Sequence, residues 1–68
     1  MKPETYRFWN SFVRTAKVGE LFARRDHLYE VRRSGPRDQR RLARQAIRMI
    51  NEELEIRAAV AAARRRRS

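Results

Sequence analysis

The chain of 68 residues contains no cysteine, which excludes disulfide bonds and zinc sites built on thiolates. It has a single histidine, His27, so a metal site with several histidine ligands is excluded as well. Two glycines and two prolines are too few for a flexible linker, a collagen-like repeat or a compact all-β fold. We therefore expect no metal and no cofactor.

Long hydrophobic runs are also missing. The longest apolar stretch, residues 58–63, consists of five alanines and one valine, and it is too short to cross a bilayer. The first residues, Met1-Lys2-Pro3-Glu4, lead into aromatic residues rather than into the apolar centre of a secretory signal. The early Glu4 does not fit a removable mitochondrial presequence either. We expect no membrane partner, and any organellar import would use basic helices of the mature chain.

Groups that could form an active site are equally few. His27 lies beside Asp26 and near Tyr29 and Glu30, where an acid–base pair can be imagined. No second polar cluster completes such a site, so we interpret His27 as an exposed or RNA-contacting residue. The glutamates of residues 52–55 diverge around a helix, which favours a solvated face over a metal site. We expect neither an enzyme nor a small-molecule substrate.

Arginine is the residue that the chain has in abundance. Sixteen arginines stand beside two lysines and eight acids, and the formal net charge is +10. The guanidinium is a planar fork that grips phosphate through two hydrogen bonds and stacks on bases. Because phosphate neutralisation releases condensed counterions, this composition favours RNA or DNA over a merely solvated face or a disordered basic arm. Residues 32–48 contain a single acid, Asp38, and seven arginines. These arginines are candidate contacts for the nucleic acid: Arg32, Arg33, Arg37, Arg40, Arg41, Arg44 and Arg48.

The positions of the helix-breaking glycines and prolines and the spacing of the apolar residues predict an all-α fold. It is made of two short helices and a long basic C-terminal helix. We expect one extended, helical, RNA-binding unit over residues 1–68 with little independent hydrophobic core. Pro3 suits a first helical turn, and Ser34-Gly35-Pro36 is the clearest break in the chain. The predicted segments are helices at about 3–17, 20–33 and 36–63, followed by a basic tail at 64–68.

The apolar faces of these helices are narrow. The first two helices are therefore expected to form a hairpin that leaves little surface to bury the third. Ordering a residue costs on the order of 1–2 kcal/mol, so we expect the third helix to become ordered on a partner and the tail to be mobile without one. Its acids at 52–55 can form local ion pairs with Arg48 and Arg57. The apolar positions of the third helix are Leu42, Ala46, Ile47, Ile50, Leu54 and Ala58.

Aromatic residues follow the same helical spacing in the first two helices. We predict that Phe8, Phe12 and Phe22 pack, either in the core or against a neighbouring protein. Trp9 and Tyr29 are candidates for packing too, although base stacking is an open alternative for both of them.

The segment KVGELFARRDHLYE, residues 17–30, resembles the centre of the small-subunit ribosomal protein twenty-one family of bacterial and mitochondrial ribosomes. Arg24-Arg25 resembles the basic run of that family, and Leu28-Tyr29-Glu30 its aromatic–glutamate step. The resemblance extends over about residues 5–48. Leu28 replaces the first aromatic residue, and residues 31–35 lengthen the approach to proline, as in a diverged mitochondrial-type member. Other matching positions are Tyr6-Arg7, Phe12-Val13-Arg14, Gly19, Leu21, Arg37, Arg40, Arg41 and Arg44.

The resemblance implies a structural constituent of the small ribosomal subunit, without catalysis. Its partners would be the rRNA of the subunit platform and neighbouring ribosomal proteins, in the mitochondrion or alternatively in the bacterial cytoplasm. Arg24, Arg25 and the arginines of 37–44 would contact rRNA. Tyr29 and Glu30 would fix the second helix against the start of the third. The end of the third helix, with its acids, would meet a neighbouring protein.

Two other interpretations stay open. Tyr6-Arg7 followed by Phe12 resembles the Leu-Tyr-Arg family, which would make the chain a small helical subunit or assembly factor of a mitochondrial protein complex. That family has a leucine before the tyrosine, and this chain has Thr5. A DNA-packaging or phage-type basic protein is the third interpretation, although no recognition-helix pattern supports it.

Overall fold

The computed structural model describes residues 1–67, which form three α-helices: α1 (Pro3–Thr15), α2 (Val18–Ser34) and α3 (Arg37–Arg67). The predicted all-α class with a long C-terminal helix is confirmed. At 31 residues, α3 is about 46 Å long and spans the molecule. The molecule measures 48 × 24 × 14 Å, and its Cα radius of gyration is 13.7 Å, against about 11 Å for a compact chain of this length. The shape is therefore extended, as predicted.

Two residues with extended backbone, Ala16 and Lys17, connect α1 to α2. Pro3 and Glu4 occupy the first turn of α1, where a missing N–H and a negative charge are both favourable. Ala16 adopts extended backbone angles and ends the helix. The carboxylate of Glu20 then accepts a hydrogen bond from the backbone N–H of Lys17 at 3.2 Å, which caps the start of α2.

Gly35 and Pro36 form the turn between α2 and α3. The backbone of Gly35 is extended, and its N–H donates to the carbonyl of Val31 at 2.8 Å. A Cβ placed on Gly35 would lie 2.6 Å from that carbonyl oxygen, so the turn requires glycine for space. The predicted break at this point is confirmed.

The helix at the centre of the fold is α3, and the expected hairpin of α1 with α2 is wrong. Both α1 and α2 pack on α3, whereas α1 and α2 hardly touch each other. Ala43 and Ala46 are fully buried on α3, where small side chains allow close packing between helices. The core is small, and nine side chains of residues 1–67 are buried in it: Trp9, Val13, Ala16, Leu21, Leu28, Ala43, Ala46, Ile47 and Ile50.

Arg57 fastens the end of α1 to α3. Its Nη2 atom donates to the carbonyl oxygens of Val13 at 3.1 Å and Ala16 at 2.7 Å. Its Nε atom donates to Glu53 Oε2 at 2.8 Å, one of the predicted local ion pairs. The last carbonyls of a helix lack partners within that helix, so Arg57 satisfies groups that would otherwise need water. The pairing expected for Arg48 is not formed within residues 1–67.

The basic segment at the C-terminus is helical rather than a mobile tail. Alanine and arginine both have high helix propensity, so the alanines of 58–63 carry α3 on through Arg67. Positive side chains in the last turn also interact favourably with the helix dipole. Ser68, the last residue of the predicted tail, lies outside the described residues.

Two of the predicted packing residues are not in the core. Phe8 is 58% exposed and Phe22 is 44% exposed, whereas Trp9 is buried. Phe12 and Tyr29 are half-buried against the core. The apolar stripe of α1 is wider than the face that meets α3, so Trp9 turns inward and Phe8 lies at the edge with its ring against Trp9, centroids 5.4 Å apart. Packing of Phe8 and Phe22 on another protein stays a prediction.

Candidate nucleic-acid interface

Five arginines form one side of the first half of α3. At 3.6 residues per turn their side chains fall within an arc of about 100° and along about 16 Å of the helix axis. All five are exposed, and none has an ion pair, hydrogen bond or ring contact within residues 1–67. The other side of the same turns carries the buried residues of α3. We call this surface the arginine face: Arg37, Arg40, Arg41, Arg44 and Arg48.

The charge of this side of α3 reverses after Arg48. Glu52 and Glu55 follow at spacings of four and seven residues, so they continue the same side of the helix. Both are exposed. The arginine face is therefore confined to the half of α3 next to the turn, and its only nearby acid in sequence, Asp38, forms no ion pair within residues 1–67.

The arginines of α2 are held by neighbouring groups. Arg33 pairs with Glu30 at 2.6 Å, with both side chains exposed. The guanidinium of Arg32 lies 5.0 Å from the centre of the Tyr29 ring. Arg24 is exposed and lies 5.6 Å from the centre of the Phe12 ring, on the side of α2 that faces α1.

Arg25 has a structural role that the sequence did not indicate. Its Nη1 atom donates to Asn51 Oδ1 of α3 at 2.7 Å, and its guanidinium lies 5.0 Å from the centre of the Phe22 ring. Its Nε atom is buried and has no hydrogen-bond partner within residues 1–67. Arg25 therefore ties α2 to α3, and an additional contact with RNA stays a prediction.

Of the two residues expected to fix α2 against the start of α3, one packs and the other does not. Tyr29 is half-buried against the core, and its role at the start of α3 stays a prediction. The side chain of Glu30 pairs with Arg33 of its own helix, and it has no bond to α3 within the described residues. Glu30 therefore orders the end of α2 instead.

The remaining candidates form no second site. His27 is exposed beside a shallow depression that Phe12, Glu20 and Arg24 also line. No cluster of three or more histidine, aspartate or glutamate side chains in residues 1–67 is placed to hold a metal ion. None of the three described helices combines the length and apolar character that crossing a bilayer requires.

Sequence reasoning missed the long-range roles of Arg57, Arg25 and Asn51. These bonds join residues 26 to 44 positions apart, which helical spacing cannot indicate. It also missed the alternation of arginine and aromatic rings on α2, although the spacing of Phe22, Arg25 and Tyr29 contained that signal.

Comparison of the chain with protein-family models, with curated proteins and with solved structures finds no match. The charge and the geometry of the chain itself are therefore the basis of the functional proposal. Its most distinctive element is the arginine face.

Proposed function

We propose that this chain is a structural RNA-binding protein and that the arginine face is its main phosphate-binding surface. The observation that carries the proposal is a set of five exposed arginines that have no partner among the described residues. They lie on one side of a helix whose other side is fixed in the core. Helix α3 holds them at set spacings along about 16 Å. Binding to phosphates then needs less ordering than binding by a flexible basic arm.

The energetics of α3 favour a polyanionic partner over a simple solvated face. Three arginine pairs, 37–41, 40–44 and 44–48, lie four residues apart. Like charges at this spacing destabilise a helix by about 0.2–0.5 kcal/mol per pair. A face meant only for solubility would mix both signs. Phosphates between these guanidinium groups would turn the repulsion into attraction.

Within this function, we propose that the protein is a component of the small ribosomal subunit, with rRNA and neighbouring ribosomal proteins as its partners. The support is the resemblance of residues 5–48 to the small-subunit ribosomal protein twenty-one family. The basic positions of that resemblance include Arg24, Arg37, Arg40, Arg41 and Arg44, and the side chains of all five are exposed. The mitochondrion, or alternatively the bacterial cytoplasm, is the proposed location. The role is structural: the protein binds and orders RNA and transforms no substrate.

Two measurements test the two levels of this proposal. The first is the affinity of the purified chain for a structured RNA and for a DNA duplex with the same number of phosphates, over a series of salt concentrations. Tight, salt-dependent RNA binding is expected, and failure to bind RNA at low salt would contradict the function. The second is fractionation of a cell extract on a sucrose gradient. Migration with the small subunit is expected, and exclusion from all ribosomal fractions would contradict the ribosomal assignment.

A further inference from the structure

Arginine and aromatic side chains alternate along one stripe of α2. Phe22, Arg25, Tyr29 and Arg32 are spaced three, four and three residues apart, which places them on one side of the helix. Arg25 lies 5.0 Å from the centre of the Phe22 ring and 5.8 Å from that of Tyr29, and Arg32 lies 5.0 Å from that of Tyr29. These distances are within the range of cation–π attraction. We call these four residues the arginine–aromatic ladder.

The middle of the ladder is fixed and its ends are open. Arg25 is held by its hydrogen bond to Asn51, and Tyr29 is half-buried against the core. At one end Phe22 is 44% exposed, and at the other end Arg32 is exposed. The ladder therefore presents flat groups to solvent in positions that the fold has already set.

Flat aromatic and guanidinium groups are the surfaces on which unpaired bases stack. Phosphate binding by itself needs no aromatic ring, and the core does not need an exposed Phe22. We propose that the ladder binds unpaired bases of a single-stranded RNA segment, with one base on the Phe22 ring and another on the Arg32 guanidinium. This inference rests on the proposed RNA-binding function and specifies the kind of RNA that the protein selects.

The position of the ladder relative to the arginine face supports a shared ligand. Arg32 lies in the last turn of α2, and Arg37 begins α3 directly after the Gly35–Pro36 turn. A strand with bases stacked on the ladder would continue toward the arginines of α3, which carry the charge to bind its phosphates. The preferred RNA is therefore a duplex or structured region with an adjoining unpaired segment.

The test uses substitutions that remove stacking and keep charge and apolar character. F22L removes a ring from the ladder, and F8L removes an exposed ring from α1 as its matched control. R32K replaces the planar guanidinium by a point charge, and R41K does the same within the arginine face. Affinity is measured at one salt concentration for an unstructured RNA of about twelve nucleotides and for a blunt-ended RNA duplex with the same number of phosphates. Circular dichroism checks that each variant keeps the helix content of the wild type.

We expect F22L and R32K each to weaken binding of the single strand by about five- to tenfold. Their affinity for the duplex should change less than about twofold, because phosphate contacts are retained. F8L and R41K should change the affinity for the single strand and for the paired RNA by similar factors. A 2-aminopurine base in the single strand should change its fluorescence with the wild type and respond much less with F22L.

Three results would overturn the inference. If F22L and R32K bind the single strand as the wild type does, the ladder only stabilises α2, and the phosphate-binding function stands. If they lose affinity for both RNAs equally, the ladder supports the fold or general charge rather than stacking. If the wild type binds neither RNA, the proposed function itself is wrong and the inference falls with it.

Discussion

The two halves of α3 use the same residue type in opposite ways. In residues 37–48 the arginines point away from the core, lie exposed and bind no group within residues 1–67. In the second half, Arg57 follows the buried Ile50 by seven residues, so it falls on the core side of the helix. There it binds the carbonyls of Val13 in α1 and of Ala16 directly after α1, and the carboxylate of Glu53. The place of an arginine on the helix, and not the local density of arginine, decides whether it serves the fold or a ligand.

A third use of arginine lies between these two extremes. Arg25 of α2 is half-buried, bonded to Asn51 and placed against aromatic rings. Arg32, at the end of the same ladder, lies against the Tyr29 ring and is exposed. At these intermediate positions one side chain can both stabilise the fold and contact a ligand. Charge-conserving substitutions are therefore most informative in the ladder.

The largest effect is expected from removing the inward arginine. R57M keeps most of the apolar stem but leaves the carbonyls of Val13 and Ala16 and the Glu53 carboxylate without this donor. We expect the free energy of unfolding to fall by about 1–3 kcal/mol. R48M is the matched control on the outward side, and its effect should lie within about 0.5 kcal/mol. Thermal and urea unfolding followed by circular dichroism measures both. Equal effects would contradict the distinction between the two halves of α3.

The next effect concerns the turn that places the arginine face beside α2. G35A puts a Cβ 2.6 Å from the Val31 carbonyl oxygen, so the turn must shift. We expect a loss of about 1–2 kcal/mol in unfolding free energy. Gly19 is the matched control, because a Cβ there meets nothing within 4 Å. G19A should stabilise α2 by about 0.5–1 kcal/mol. A harmless G35A would show that the turn does not depend on this close approach.

A smaller effect is expected from repulsion within the arginine face. The melting temperature of the free protein should rise as sodium chloride is added, because screening weakens repulsion among its net positive charges. R40Q/R41Q removes one partner of the 37–41 and 40–44 pairs, so it should stabilise the free protein by a few tenths of a kcal/mol. Destabilisation by this double substitution would mean that these side chains support the fold, as Arg57 does.

The general fold could be predicted from the sequence because its signals are local. Pro3 marks the start of α1 and Gly35-Pro36 the turn before α3, and the spacing of Trp9 and Val13 marks a buried face. The junction of α1 and α2 has no such signal, since Gly19 lies inside α2. The pairing of the helices could not be predicted, because it depends on Ala43 and Ala46, whose small side chains give a weak apolar signal but allow close packing.

The candidate site was predictable to a similar degree. The arginines of 37–48 share a face by helical spacing alone, and all of them are exposed as a phosphate-binding surface requires. The structural roles of Arg25 and Arg57 depend on hydrogen-bond partners 26 to 44 residues away in the sequence. Only the packing of the helices brings these partners together. Aromatic character likewise did not distinguish the buried Trp9 from the exposed Phe8.

The most direct test of the central claim is the salt dependence of RNA binding by R40Q/R41Q beside R7Q/R14Q. Both variants remove two exposed arginines, one pair from the arginine face and the other from α1. Binding of a structured RNA is measured at several salt concentrations for each. We predict that the slope of log K against log salt becomes shallower by about 1.4–1.8 for R40Q/R41Q, which corresponds to two lost phosphate contacts, and stays near the wild-type value for R7Q/R14Q. Equal changes of slope in the two variants, or no change in R40Q/R41Q, would contradict the account.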